Sequence, residues 1–255
     1  MNEKLKAFDR LLNIMDELRA ECPWDKKQTF DSLRHLTIEE TYELCDAILE
    51  KDMDQIKGEL GDLFLHLVFY SKIAAETKVF DVADVLNAVC EKLIYRHPHI
   101  YGDVKVENEE DVKRNWEQLK LKEGKKTVLQ GVPKSLPALV KATRIQDKAR
   151  GVGFDWDNKN QVWEKVQEEI AEFQAEEKIG DQEKMEQEFG DVLFSLVNYA
   201  RFVGINPEDA LERTNKKFIT RFNFLEAEVN KQGKNLHDMT LPEMEVIWNK
   251  AKEIK

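Results

Sequence analysis

Proline and glycine are scarce in this chain, with six Pro and eleven Gly among 255 residues. No stretch alternates with strand period, and long segments are filled by Leu, Lys, Glu and Ala. That combination excludes a turn-rich β architecture and points to an all-α protein. Cysteine is also sparse. Cys22, Cys45 and Cys90 are odd in number and lack CxxC spacing, which excludes a disulfide framework and reads as reduced thiols of a cytoplasmic protein. No apolar run approaches membrane-spanning length, and the opening Met1-Asn2-Glu3-Lys4-Leu5-Lys6 carries no apolar signal region. Positive charge is in deficit: 39 Lys and Arg face 50 Asp and Glu, a formal net charge of −11. Such a balance argues against nucleic acid or an anionic membrane as the main partner. A small anionic substrate remains compatible with it if a metal intervenes.

What the chain has instead is acid in a pattern. Glu39, Glu40 and Glu43 share one helical face, and Glu59 and Asp62 share another. A short polar turn, Lys51 to Gln55, makes the two helices antiparallel neighbours. On the second helix Leu60, Leu63, Phe64, Leu67 and Val68 read as the apolar stripe, so the acids are expected to flank the core. Carboxylates that converge across such a gap repel one another, and a hard divalent cation with oxygen ligands relieves the repulsion.

Solvated surface is the ordinary reading of charged pairs on helices. A repeat decides against it. Glu168, Glu169, Glu172, Glu188 and Asp191 reproduce the five acids at a constant offset of 129 residues. The apolar frame repeats with them: Val68 with Val197 and Tyr70 with Tyr199. The sequence is a duplicated unit, and its length suits two domains, at 1–123 and 136–255, joined by a Gly- and Pro-punctuated linker at 124–135.

Helices are predicted near 3–20, 38–50, 53–78, 81–96, 109–123, 137–150, 160–178, 182–203, 207–230 and 242–253. Thr37 reads as the N-cap of the second with Glu40 three residues on, but a Glu40 that binds metal cannot also close a capping box, so the two readings compete. His97-Pro98 should stop the helix that ends at Arg96.

A second pattern is basic and aromatic. Lys92 and Arg96 stand four apart, as do Lys217 and Arg221, the latter pair preceded by Asn215. The last helix of each half carries Trp116 with Lys120, and Trp248 with Lys252. Singly, these are ordinary surface cations and core tryptophans. As matched sets beside matched acids they suggest phosphate chemistry: carboxylates hold Mg²⁺, the cation meets phosphate oxygens, and Lys or Arg neutralises the remainder. A Trp offers a flat face to a nucleobase, or packs. With no nucleophilic Ser or Cys constellation, the set suggests metal-activated water attacking phosphorus.

The acids follow EExxE, a spacer and ExxD, twice. Together with Cys22-Pro23-Trp24-Asp25, Arg96-His97-Pro98-His99 and Val152-Gly153-Phe154-Asp155-Trp156, they resemble the MazG family of nucleoside triphosphate pyrophosphohydrolases in its tandem two-domain form. The resemblance covers nearly the whole chain. It implies all-α helical-bundle domains, a homodimer, and Mg²⁺-dependent cleavage (Mn²⁺ substituting) between the α- and β-phosphates of nucleoside triphosphates. It also implies broad nucleotide choice and a housekeeping role against aberrant nucleotides. Carried over by position, Glu169, Glu172, Glu188 and Asp191 would be metal ligands. Glu168 would be a further ligand or would orient the attacking water. Lys217, Arg221, Trp248 and Lys252 would hold the triphosphate and base. Glu39, Glu40, Glu43, Glu59, Asp62, Lys92, Arg96, Trp116 and Lys120 would repeat these roles in the first half. His66, whose counterpart is Ser195, reads as structural.

Two other readings use the same residues. A di-iron carboxylate bundle needs Glu-x-x-His on two helices, and no His here stands three after a Glu. A non-catalytic helical interaction module with a degenerate metal site leaves the survival of both acid clusters and both Lys–Arg pairs without a reason, though a degenerate copy could persist as a dimerisation surface.

Overall fold

The computed structural model describes residues 2–108 and 127–253, together with Asp111, Val112, Asn115, Trp116 and Leu119. The fold is all-α, and no strand occurs among the described residues. The chain forms two compact units, Met1–Asn108 and Glu109–Lys255.

The first unit comprises α1 (Glu3–Glu21), α2 (Phe30–Glu50), α3 (Met53–Glu76), α4 (Val82–Arg96) and the short α5 (Pro98–Tyr101). Its starts are written in the sequence. Asp52 accepts from the backbone N–H groups of Asp54 and Gln55, and Asp81 and Asp84 form a reciprocal capping box. Such side chains satisfy donors that a helix start leaves unpaired. The second unit contains α6 (Ala138–Arg150), α7 (Lys159–Ile179), α8 (Gln182–Phe202), α9 (Pro207–Lys231) and α10 (Leu241–Glu253). Asn158, Asp181 and Asn206 cap α7, α8 and α9 in the same way.

Two expectations are corrected. Helix α2 begins at Phe30, eight residues earlier than predicted, because Thr29 and Ser32 form the capping box. Thr37 lies inside the helix, where its hydroxyl donates to the carbonyl of Leu33 and meets Tyr70 Oη at 2.7 Å. Glu40 is therefore released from any capping duty. The apolar stripe of α3 is also divided. Val68, Phe69 and Ile73 enter a core with Met15 of α1 and Leu33 of α2, whereas Leu60, Phe64 and Leu67 stay 43%, 53% and 58% exposed. The helix carries more apolar residues than one core can cover. The expected helix at 109–123 falls mostly outside the described residues, as does Lys120.

In each unit the pair of helices around the acids makes the most extensive contact, α2 with α3 and α7 with α8. Both hairpins reverse in two residues. Helix α2 ends at Lys51 in left-handed geometry (φ 59°), and α7 ends at Gly180 (φ 80°), which is Lys51 plus 129. Asp52 and Asp181 then cap the returning helix. Glycine adopts that geometry without steric cost, whereas lysine carries a penalty of about 1–2 kcal/mol. Lys51→Gly is expected to stabilise the first unit by about 1 kcal/mol, read as a higher urea midpoint. A lower midpoint would show that the lysine side chain earns its place there.

Candidate functional site

The reversal at Lys51–Asp52 brings the acids of α2 and α3 face to face. Carboxylate oxygens of Glu40, Glu43 and Glu59 all lie within 4.8 Å of one another. Glu40 is half-buried, and its acidity records the crowding. Lost hydration raises its pKa above the ordinary carboxylate value, and the charges of Asp62, Glu43 and Glu59 raise it further. The duplicated cluster has the same build. Oxygens of Glu169, Glu172 and Glu188 lie within 4.8 Å of one another, with Glu169 only 8% exposed. The Glu172 carboxyl is likewise pushed up, first by lost hydration, then by Glu169 and Glu188, and it is pulled back by Lys165.

Lys165 is the residue that sequence reasoning missed. Its ammonium bridges Glu168 at 2.9 Å and Glu169 at 2.8 Å. The two carboxylates, Glu169 foremost, hold its pKa well above the ordinary lysine value. The signal was present, because a lysine three and four residues before two glutamates faces both on a helix. Subtracting 129 gives Leu36, so the first cluster has no ammonium at that place. One cluster is thus partly neutralised by the protein itself.

The other expected residues are distributed as follows. Asp191 lines a pocket together with Glu169 and Lys165. Asp62 is close enough to raise Glu40, while Glu39 is exposed on the same helix. Lys217 and Asn215 are exposed on α9 with Arg221 half-buried there, and Asn215 donates to Glu212. Trp248 packs into an apolar cluster with Leu225, Val229 and Ile247, 5.1 Å from the Phe218 ring. Lys252 donates to Asn249. Lys92 and Arg96 occupy the last turns of α4, and Trp116 is half-buried. None of Asn215, Lys217, Arg221, Trp248 and Lys252 lines the pocket beside the second acid cluster. His66 is buried at 7% exposure, and burial holds its pKa below the usual histidine value, in keeping with a structural role.

Three carboxylates whose oxygens lie within 4.8 Å of one another form a donor set for a hard divalent cation. The comparisons agree with that chemistry. The family model described as the MazG nucleotide pyrophosphohydrolase domain matches residues 28–101 and again 158–224. These segments contain the α2–α3 and α7–α8 hairpins, and the class they define is a carboxylate-based all-α hydrolase. The chain belongs to the MazG nucleotide pyrophosphohydrolase family. It is 43% identical over 97% of its length to a nucleoside triphosphate pyrophosphohydrolase of Escherichia coli K12, covering 98% of that protein. It is 41% identical, over 99% of its length and 98% of the relative's, to the nucleoside triphosphate pyrophosphohydrolase/pyrophosphatase MazG of Thermotoga maritima. Among solved structures, a mazG-related protein from Thermotoga maritima aligns with 44% of this chain and 98% of its own at a TM-score of 0.40 and 25% identity.

Removing Lys165 leaves Glu169 buried beside other carboxylates without its cation. Because the lysine is itself a third exposed, Lys165→Met is expected to cost about 1–2 kcal/mol in chelator. Saturating Mg²⁺ should restore most of that loss, since a ligand that binds only the folded state stabilises it. Thermal melts with and without Mg²⁺ check both halves of the expectation, and equal loss in both buffers would detach the lysine from any cation site.

Proposed function

We propose that this protein hydrolyses nucleoside triphosphates between the α- and β-phosphates, giving a nucleoside monophosphate and pyrophosphate, with Mg²⁺ as the cofactor and Mn²⁺ as a substitute. The observation that carries this reading is the convergence of Glu169, Glu172 and Glu188 within 4.8 Å of one another, duplicated by Glu40, Glu43 and Glu59. Bound there, with Asp191 and Asp62 completing the sets, the cation would neutralise phosphate charge and acidify a water molecule. The chain's own residues do the rest. Glu168 and Glu39 accept a proton from, or orient, the attacking water. Lys217 and Arg221 in one half, and Lys92 and Arg96 in the other, take up the triphosphate charge. Trp248, Lys252 and Asn215 support the bound nucleotide in the second half, and we assign the same part in the first to Trp116 and Lys120. Water adds to phosphorus, the anhydride bond breaks, and pyrophosphate carries away the electron pair.

The second half is the stronger candidate for turnover. Helix α4 ends at Arg96, directly after its basic pair, whereas α9 runs on to Lys231, ten residues beyond Arg221. A longer helix holds its phosphate-binding side chains more firmly. Pairing of two copies is supported by the exposed face that the repeat keeps. Leu60, Phe64 and Leu67 recur at plus 129 as Phe189, Leu193 and Leu196, which are 51%, 45% and 39% exposed. An apolar face repeated in both units fits a homodimer contact. A cytoplasmic setting accords with three free cysteines. Removal of aberrant nucleotides is the role we assign.

Product analysis on a panel of triphosphates tests the reaction. Monophosphate with pyrophosphate is expected, and activity should vanish in excess chelator. Orthophosphate with diphosphate as first products would exclude it. Glu172→Gln is expected to lower turnover by roughly two orders of magnitude, whereas Glu43→Gln leaves most of it. The reverse order would transfer the chemistry to the first half. Lys217→Ala and Arg221→Ala should raise KM several-fold with little change in Tm, because Lys217 is exposed and Arg221 only half-buried, and such cations contribute little to stability.

A further inference from the structure

The two units differ most where the first is solid. Its core closes on Met15 and Phe69, 1% and 2% exposed. Phe69 plus 129 is Asn198. Met15 plus 131 is Gln146, and the same step carries Arg19 to Arg150, which lies against Asp155 as Arg19 lies against Asp25. Two of the largest core side chains of one unit are thus carboxamides in the other. Around them the second unit holds a pocket of about 700 Å³ instead of a filled core. That volume is within the range of about 300–1,000 Å³ occupied by small-molecule sites. Phe154 and Trp156 contribute aromatic faces to its wall, and Lys165, Glu169 and Asp191 line the same pocket, so it opens onto the acid cluster.

Gln146 is the group that gives the pocket a chemical preference. It is 7% exposed, and its Nε2 donates to the carbonyl of Phe194 at 2.8 Å. A carbonyl only accepts, so the amide orientation is fixed and Oε1 is left as an acceptor. Oε1 is buried and has no partner. A buried acceptor without a donor costs about 1–3 kcal/mol, and a ligand that brings an N–H into the pocket recovers it. Asn198 is held by Arg201, whose Nε and Nη2 donate to its Oδ1 at 3.2 and 2.8 Å, and Arg201 is clamped in turn by Asp155.

We propose that this pocket takes the nucleobase of the triphosphate, with Gln146 Oε1 accepting from an amino or ring N–H on the base edge and Asn198 as its neighbouring polar wall. The proposal rests on the triphosphate reading of the acid cluster and deepens it. A carboxamide oxygen is matched to the N–H donors of a base edge, and the aromatic residues of the wall supply a stacking surface. A base seated here leaves its phosphates beside Glu169 and Asp191. In the first unit the equivalent positions are occupied by Met15 and Phe69, both buried in its core. Gln146 is a specificity-determining residue in this account, and it acts on binding.

Gln146→Met installs the residue that the first unit tolerates in its core. Titration calorimetry with Mg²⁺ should then show the α,β-methylene analogue of ATP binding about tenfold more weakly, the equivalent of one lost hydrogen bond. Affinity for inorganic tripolyphosphate, which has no base, should stay at the parent value. In turnover, KM should rise by the same factor with kcat within about twofold. Unchanged affinity for the analogue overturns the proposal, and so does equal weakening of both ligands. A variant that dimerises differently but binds nucleotide like the parent also overturns it, by showing that a second copy fills the pocket. The two readings fail separately. If the parent binds the analogue with the expected dependence on Gln146 but hydrolyses no triphosphate, only the hydrolytic assignment falls.

Discussion

Electrostatic repulsion between carboxylates forced together by a two-residue helix reversal is the constraint around which both units are arranged. Left in water, Glu40, Glu43 and Glu59 would separate. The packing of α2 on α3, anchored by Phe69, Val68 and Leu33, holds them within contact distance. The pKa values of Glu40 and Glu172 are raised first by lost hydration and then by the neighbouring carboxylates, in accord with that opposition. Apolar burial supplies the force that keeps the charges together, and carboxylates held so form a donor set for a hard cation. Neither element accounts for the site without the other.

The duplicated units have met this constraint differently. The first leaves its cluster without a lysine at the Leu36 position and fills the space behind it with Met15 and Phe69. The second places Lys165 against Glu168 and Glu169, and exchanges the filling residues for Gln146 and Asn198 around a pocket. The first unit has Met15 and Phe69 in its core, and the second has charge compensation, an internal acceptor and a pocket. The second unit thus has the buried carboxamide of Gln146 and the carboxamide of Asn198 where the first has Met15 and Phe69.

Much of this was legible before any coordinates. The helix starts at Asp52, Asp81, Asp181 and Asn206 follow from short-range hydrogen bonding, and the acid repeat follows from helical period. Thr37 misled because Thr-x-x-Glu also occurs inside helices, where the hydroxyl bonds back to a carbonyl four residues earlier, as it does to Leu33. The α3 stripe misled because helical spacing reveals which residues are apolar and adjacent but not how wide a face the neighbours cover. Leu60 and Phe64 lie on its uncovered side. The pocket was invisible for a related reason. Gln146 and Asn198 look like routine polar residues until their counterparts, Met15 and Phe69, are seen inside a core.

The hairpin reversal at Lys51 and Gly180 acts as a phase lock. Each residue of an α-helix advances the side-chain direction by about 100°. A single residue inserted between Glu43 and Lys51 would therefore turn Glu40 and Glu43 away from Glu59 by that angle, with every ligand-type side chain still present. The composition of the acid clusters is thus only half of what specifies them. The other half is a count of residues to the turn, so one residue added to that last stretch of α2 undoes the convergence while every acid is retained.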